Sequence, residues 1–227
     1  MSADSGNHSG INRAEVAAMR RSYSDLGFSP NENPFIQFAE WLKAAADNPV
    51  IVEANAMVLS TVDGHQPSSR TVLLKDVTDR FTFFTNYNSR KGKEIERNSF
   101  VSLLFPWYAM ERQVIVLGSA KKIDRNESEK YFATRPWSSQ IGAWASHQSD
   151  DLSSREELEN RFSEFASKFP EGSSVPTPPH WGGFEVIPTS IEFWQGRYSR
   201  LHDRIRYLPE LDGSTESSKW TWKRINP

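Results

Sequence analysis

Strand-like alternation dominates the middle and the end of the chain. Apolar and polar residues alternate over Ala56–Val62, Asp63-Gly64 marks a turn, and Ser69–Lys75 forms a second run. Phe81–Thr85, Phe100–Phe105 and Gln113–Lys121 repeat the period at close spacing. Further on, Trp181-Gly182-Gly183 leads into another strand. Ile191–Gln195 alternates, Gly196–Ser199 interrupts, and alternation resumes through Arg206, which predicts a hairpin. Lys219–Ile225 predicts a last strand. Short strands joined by turns and one short helix predict a barrel or curled sheet.

Helical spacing takes over between these runs. Asn33-Pro34 predicts an N-cap followed by the first helical residue, and Phe35, Phe38, Trp41, Leu42 and Ala45 then share one apolar face. Asp47-Asn48-Pro49 ends that helix. A short helix is expected over Glu15–Tyr23, another after Ser89, and another opened by Asn126 with Glu129 as a capping box and closed by Arg135-Pro136. Ser153 with Glu156 opens a further one, to about Phe169. Met1–Gly10 is rich in Ser, Asn and Gly and is expected to be disordered. The organisation expected is a disordered tail over residues 1–19 and a single domain over 20–227.

Composition removes several classes of function. The 27 Lys and Arg against 29 Asp and Glu leave no global basic field for nucleic acid. No cysteine is present, so disulfides, thiolate metal sites and thiol nucleophiles are excluded, and redox chemistry requires a bound cofactor. The five histidines are scattered without metal-ligand spacing, and neither a GxGxxG nor a GxxxxGK[ST] loop occurs. No apolar run is long enough to span a membrane and the first residues are polar, so a cytoplasmic protein is expected.

Candidate chemistry lies in local clusters of cations and aromatics. Arg90 and Lys91 follow the Ser89 cap in the first helical turn, where cations oppose the helix dipole; with the free N–H groups there, they favour a phosphate cradle. Tyr131 and Arg135, four apart on one helix face, suit a phosphate or a polar ring, or form a plain surface pair. In the second strand of the predicted hairpin Arg200, His202, Arg204 and Arg206 share one face, because side chains in a strand alternate sides. That face is either a charged edge or a site, and Trp194, which offers a flat apolar wall, tilts towards a site. Together the clusters suffice for two phosphorylated ring compounds.

The motifs RTVLLK (70–75), FFTNYNSRKGKEI (83–95), ERQVIVLG (111–118), YFATRPWSSQIGAWASHQS (131–149), WGGFEVIP (181–188) and EFWQGRYSRLHDR (192–204) closely resemble the pyridoxamine 5′-phosphate oxidase family. The resemblance is collinear from about Arg20 to the C-terminus. It implies an α+β fold, an FMN-binding split β-barrel with flanking helices, and a homodimer with FMN at the subunit interface. It implies oxidation of pyridoxamine or pyridoxine 5′-phosphate to pyridoxal 5′-phosphate, with O2 reduced to H2O2.

Carried over by position, the resemblance implies FMN contacts from Arg70, Thr71, Val72 and Leu73, from Phe84, Thr85, Arg90 and Lys91, and from Gln113, Gln148, Ser149, Trp194 and Arg204. It assigns the substrate phosphate to Lys75, Tyr131, Arg135 and Ser139. The pyridine side falls to Arg200, Leu201 and His202, with Arg200 and His202 as the catalytic pair. Arg21 and Tyr23 resemble a mobile N-terminal lid. The Arg197-Tyr198-Ser199 insert and the RINP end depart from the family pattern. A split-barrel redox protein using FMN with another donor, and a non-enzymatic binder of FMN or pyridoxal phosphate, are the alternatives.

Overall fold

The computed structural model describes residues 13–19, 22–210 and 219–227; the expected disorder of Met1–Gly10 and the expected lid role of Arg21 fall outside them. The elements in order are α1 (Arg13–Ala18), α2 (Pro34–Ala46), β1 (Ala56–Asp63), β2 (Gln66–Leu73), β3 (Asp76–Val77), β4 (Phe81–Asn86), α3 (Arg90–Arg97) and β5 (Phe100–Trp107). They continue with β6 (Arg112–Lys122), α4 (Arg125–Ala133), α5 (Trp137–Ala145), α6 (Arg155–Lys168), β7 (Trp181–Gln195), β8 (Asp203–Pro209) and β9 (Trp220–Arg224).

All the strand pairings are antiparallel, in the order β2-β1-β5-β6-β7-β4-β3. The two ends of that path, β2 and β3, are separated in sequence only by Leu74 and Lys75, so the sheet must curl back on itself. This is the split β-barrel with flanking helices that the motifs imply. Strand β7 is the branch point. Its first part, Trp181–Val186, pairs with β4, and its last part, Ile191–Gln195, pairs with β8, which carries β9.

The apolar face of α2 packs into the barrel. Phe38 meets Phe81 and Phe105 with ring centroids 5.1 and 4.9 Å apart, and Trp41 meets Phe193 at 5.2 Å, in edge-on contacts. Asn33 caps this helix from its side chain and Pro34 opens it, as the sequence predicts. A second apolar cluster, around Phe132, Ile141 and Trp181, holds α4, α5 and α6 against the start of β7.

Several expectations need correction. Helix α1 ends at Ala18, short of the expected Tyr23, and it lies inside the stretch expected as a disordered tail. The cap of α4 is Asp124, whose carboxylate accepts from the Asn126 N–H, and not Asn126 itself. The cap of α6 is Ser154, and Ser153 instead donates to Glu157 at 2.5 Å. Most important, Arg200 and His202 precede β8. The chain there makes a tight turn with Ser199 and Arg200 at φ 56° and 64°, so these two residues do not share a strand face with Arg204.

Candidate active site

A cavity of about 990 Å³ opens between β2, the end of β4, the start of α3 and the α4–α5 pair. Its floor at one end is the first turn of α3. The Ser89 hydroxyl accepts from Gly92 N–H and donates to the Asn86 carbonyl at 2.6 Å, which fixes where the helix starts. Glycine is required at position 92, because a Cβ there would lie 2.1 Å from the Tyr87 carbonyl oxygen. The close approach brings Arg90 and Lys91 to the cavity wall beside Arg70, Thr71, Val72 and Leu73 of β2.

This end is strongly cationic and internally ordered. The Lys91 ammonium donates to Gln148 Oε1 at 2.8 Å, Thr85 Oγ1 at 3.2 Å and Ser89 Oγ at 3.3 Å. Burial, and then the neighbouring Arg70 charge, lower its pKa to about 8, against the pull of Glu94. Gln148 and Ser149 close the rim, with Ser149 at φ 76°.

The other end is built on stacked rings. Phe84 lies against Tyr131 with centroids 4.0 Å apart and planes 16° apart, and against Trp181 at 5.3 Å and 12°. The Arg135 guanidinium sits 4.7 Å over the Trp181 ring, and its Nη1 is buried without a hydrogen-bond partner. A buried, unpaired cationic donor beside a cavity is a place for an anion. Ser139 and Lys75 also line the cavity.

A second cluster forms elsewhere on the chain. Trp194 and His202 have ring centroids 4.7 Å apart, and Tyr23 meets both edge-on, at 5.6 and 5.4 Å. Gly196 permits this, since a Cβ there would come within 2.9 Å of the Tyr23 ring. The segment carrying Tyr23 is tied down, with Ser24 N–H donating to Glu111 at 2.8 Å and Arg197 paired to Asp25 at 2.8 Å and Asp203 at 3.2 Å. Arg200 and Leu201 are exposed beside it. Gln113 lies opposite Trp194 in the sheet, and Arg204 pairs with the buried Glu192 at 2.8 Å.

The expected site residues therefore divide. The β2, β4 and α3 residues, Lys75, Tyr131, Arg135, Ser139, Gln148 and Ser149 line one cavity, whereas Tyr23, Gln113, Trp194, Arg200, Leu201, His202 and Arg204 lie outside it within the chain. Three contributors went unread in the sequence. Glu94 ties Arg70 to Arg90, Ser68 joins the same network, and Trp181 supports Arg135. The spacing of Arg90 and Glu94, four apart in a helix, was the available signal for the first.

A family model described as pyridoxamine 5′-phosphate oxidase matches residues 44–169, more than half of the chain. The chain belongs to this family. It is thus an oxidoreductase of the pyridoxamine 5′-phosphate oxidase type, and a second model, the pyridoxine 5′-phosphate oxidase C-terminal dimerisation region, matches residues 181–227. A pyridoxine/pyridoxamine 5′-phosphate oxidase of Streptomyces avermitilis is 48% identical over 94% of this chain and 96% of its own length. One of Nostoc punctiforme is 51% identical over 93% and 98%. Among solved structures, PhzG of Burkholderia lata, in complex with tetrahydrophenazine-1-carboxylic acid, superposes with a TM-score of 0.80 at 30% identity, covering 90% of this chain and 99% of PhzG. An FMN-binding protein related to pyridoxamine 5′-phosphate oxidase, from Nostoc punctiforme, shares the fold with a TM-score of 0.67 at 15% identity, over 87% of this chain and all of that one. Among the described residues no helix is long and apolar enough to cross a membrane, and no His, Asp and Glu cluster could hold a metal ion.

Proposed function

We propose that the chain is an FMN-dependent oxidase that converts pyridoxamine 5′-phosphate and pyridoxine 5′-phosphate to pyridoxal 5′-phosphate, reducing O2 to H2O2, in vitamin B6 salvage in the cytoplasm. One observation carries the reading: a single cavity is lined by four cations on different elements, Arg90 and Lys91 at the start of α3 and, elsewhere on its lining, Arg135 and Lys75. A flavin mononucleotide and a phosphorylated pyridine together bring two phosphates, and the donor sets fit one each. The unpaired Arg135 Nη1 supports the second phosphate.

FMN, when bound, supplies the two-electron acceptor and passes the electrons on to O2. The chain's residues bind and orient. Arg90 and Lys91 hold the flavin phosphate, while Tyr131, Arg135, Ser139 and Lys75 hold the substrate phosphate. With both phosphates fixed, the reacting carbon is held against the flavin, and positioning carries much of the rate. Arg200 and His202 orient the pyridine side.

The protein works as a homodimer on this reading, with no nucleic-acid or membrane partner. The Trp194–His202 cluster lies outside its own chain's cavity, and it falls within the matched dimerisation region. Each cluster then completes the cavity of the other subunit. The test is peroxide release on adding pyridoxamine 5′-phosphate to FMN-loaded protein in air. Turnover of tetrahydrophenazine-1-carboxylic acid in its place, with none of the pyridoxamine ester, would reassign the substrate.

A further inference from the structure

Three cations crowd the α3 end of the cavity, and one carboxylate lies among them. Glu94 is 3% exposed and is reached from three elements. It accepts from Thr61 Oγ1 of β1, from Ser68 Oγ at 2.7 Å and Arg70 Nη2 at 3.1 Å on β2, and from Arg90 Nε at 2.8 Å on its own helix. Burial by itself would raise its pKa, but the bonds from Thr61, Ser68, Arg90 and Arg70 outweigh that and hold it at about 2. It is therefore a fixed negative charge at any working pH.

The two guanidinium groups it touches are used differently. Arg70 spends both terminal nitrogens inside the protein, Nη1 on the Leu59 carbonyl at 3.2 Å and Thr61 Oγ1 at 2.5 Å, Nη2 on Ser68 and Glu94. Arg90 gives Glu94 only its Nε. Its two terminal nitrogens make no hydrogen bond among the described residues, and the residue lines the cavity. A guanidinium gripped by Nε presents its outer edge, the pair of nitrogens that matches two oxygens of a phosphate.

We propose that Glu94 is a positioning residue for the flavin phosphate, holding Arg70 as an internal brace and turning the free edge of Arg90 towards the phosphate. The proposal rests on the reading of this cavity as a flavin site. It leaves the outer edge of Arg90 and the Lys91 ammonium free to meet the phosphate, with Arg70 held in place beside them.

Charge and position predict opposite signs, which makes the proposal testable. Removing the Glu94 charge leaves the cradle more positive, and by Coulomb's law alone an anion would bind more tightly. Loss of the grip on Arg90 and Arg70 would weaken binding instead. The experiment titrates apo-protein with FMN and with riboflavin, which lacks the phosphate, following flavin fluorescence. The proteins are wild type, Glu94→Gln and Thr61→Val, the last of which removes one donor to Glu94 without changing charge.

Glu94→Gln should raise the Kd for FMN about ten- to a hundredfold and leave riboflavin binding unchanged. Thr61→Val should shift FMN in the same direction by less, and it decides the matter if Glu94→Gln does not fold. Unchanged or tighter FMN binding, or equal losses for FMN and riboflavin, would overturn the proposal. Wild-type protein that binds riboflavin as tightly as FMN would overturn the flavin-phosphate reading beneath it.

Discussion

The main-chain N–H of Arg197 donates to Nδ1 of His202 at 3.0 Å, which fixes the tautomer of the imidazole. With Nδ1 accepting, the proton of the neutral ring lies on Nε2. His202 therefore offers its neighbours a hydrogen-bond donor and not a base. Burial, and then the Arg200 charge, push its pKa below the usual value. The neutral ring is thus present throughout the neutral range; as pH falls below the ordinary histidine range a proton goes to Nδ1 and ends the bond from Arg197, while Nε2 still donates. Arg200→Leu removes one of the two causes and should move the His202 pKa up. A histidine NMR titration of FMN-loaded protein, from about pH 5 to 8, measures this, and an unchanged value would show that His202 does not feel Arg200.

Arg204 and Arg200 should differ in what their loss damages. Arg204 holds Glu192, which is 7% exposed and keeps only Arg206 at 3.3 Å when Arg204 is removed. Arg204→Leu should destabilise the protein by about 1–3 kcal/mol, roughly 3–10 °C in Tm, and loosen FMN as well. Arg200 is exposed, so Arg200→Leu should keep its Tm and its flavin while kcat/KM falls about ten- to a hundredfold. Thermal melts and flavin content on both variants separate the two roles.

Flavin affinity should depend on pH through Lys91. Its pKa of about 8 lies below that of a free lysine, and a bound phosphate favours the charged ammonium. Binding then takes up a proton once the free site has lost it. FMN affinity should be flat below about pH 8 and fall above it, by at most about tenfold per pH unit. Riboflavin should show no such fall. Equal pH profiles for the two flavins would remove Lys91 from the phosphate.

Arg135→Met should act on the substrate and not on the flavin. Its guanidinium is packed on Trp181 with a buried, unpaired nitrogen, and the methionine keeps the apolar packing while removing the charge. KM for pyridoxamine 5′-phosphate should rise about ten- to a hundredfold, with FMN retained. A KM within about twofold of wild type would place the substrate phosphate elsewhere.

How much could be read in advance followed the range of the interactions. Asn33-Pro34 and Ser89 act within one helical turn, and both caps are where the sequence puts them. Near-equivalent neighbours blurred the next two, since Asp124 or Asn126, and Ser154 or Ser153, can each cap. Helix α5 went unread because its cap, Pro136, makes no side-chain bond and its hydroxyl-rich run shows little apolar period. The alternation through Arg200 to Arg206 was misleading for a different reason. A turn with two left-handed residues leaves no trace in a period-two pattern, so the pattern extends the strand over Arg200 and His202, which precede it. The resemblance pointed to residues that line one cavity but carried no distances. That Trp194 and His202 lie outside it, and that Arg70 is tied to Glu94, emerged only from the packing.

The oxidase reading is tested most directly by the half-reaction without oxygen. FMN-loaded protein is mixed anaerobically with pyridoxamine 5′-phosphate, and the visible flavin band and the aldehyde product are followed together. The account predicts that the flavin bleaches, that one pyridoxal 5′-phosphate forms per flavin, and that admitting air restores the colour with release of an equal amount of H2O2. A flavin that stays bound and coloured in the presence of the substrate would contradict it.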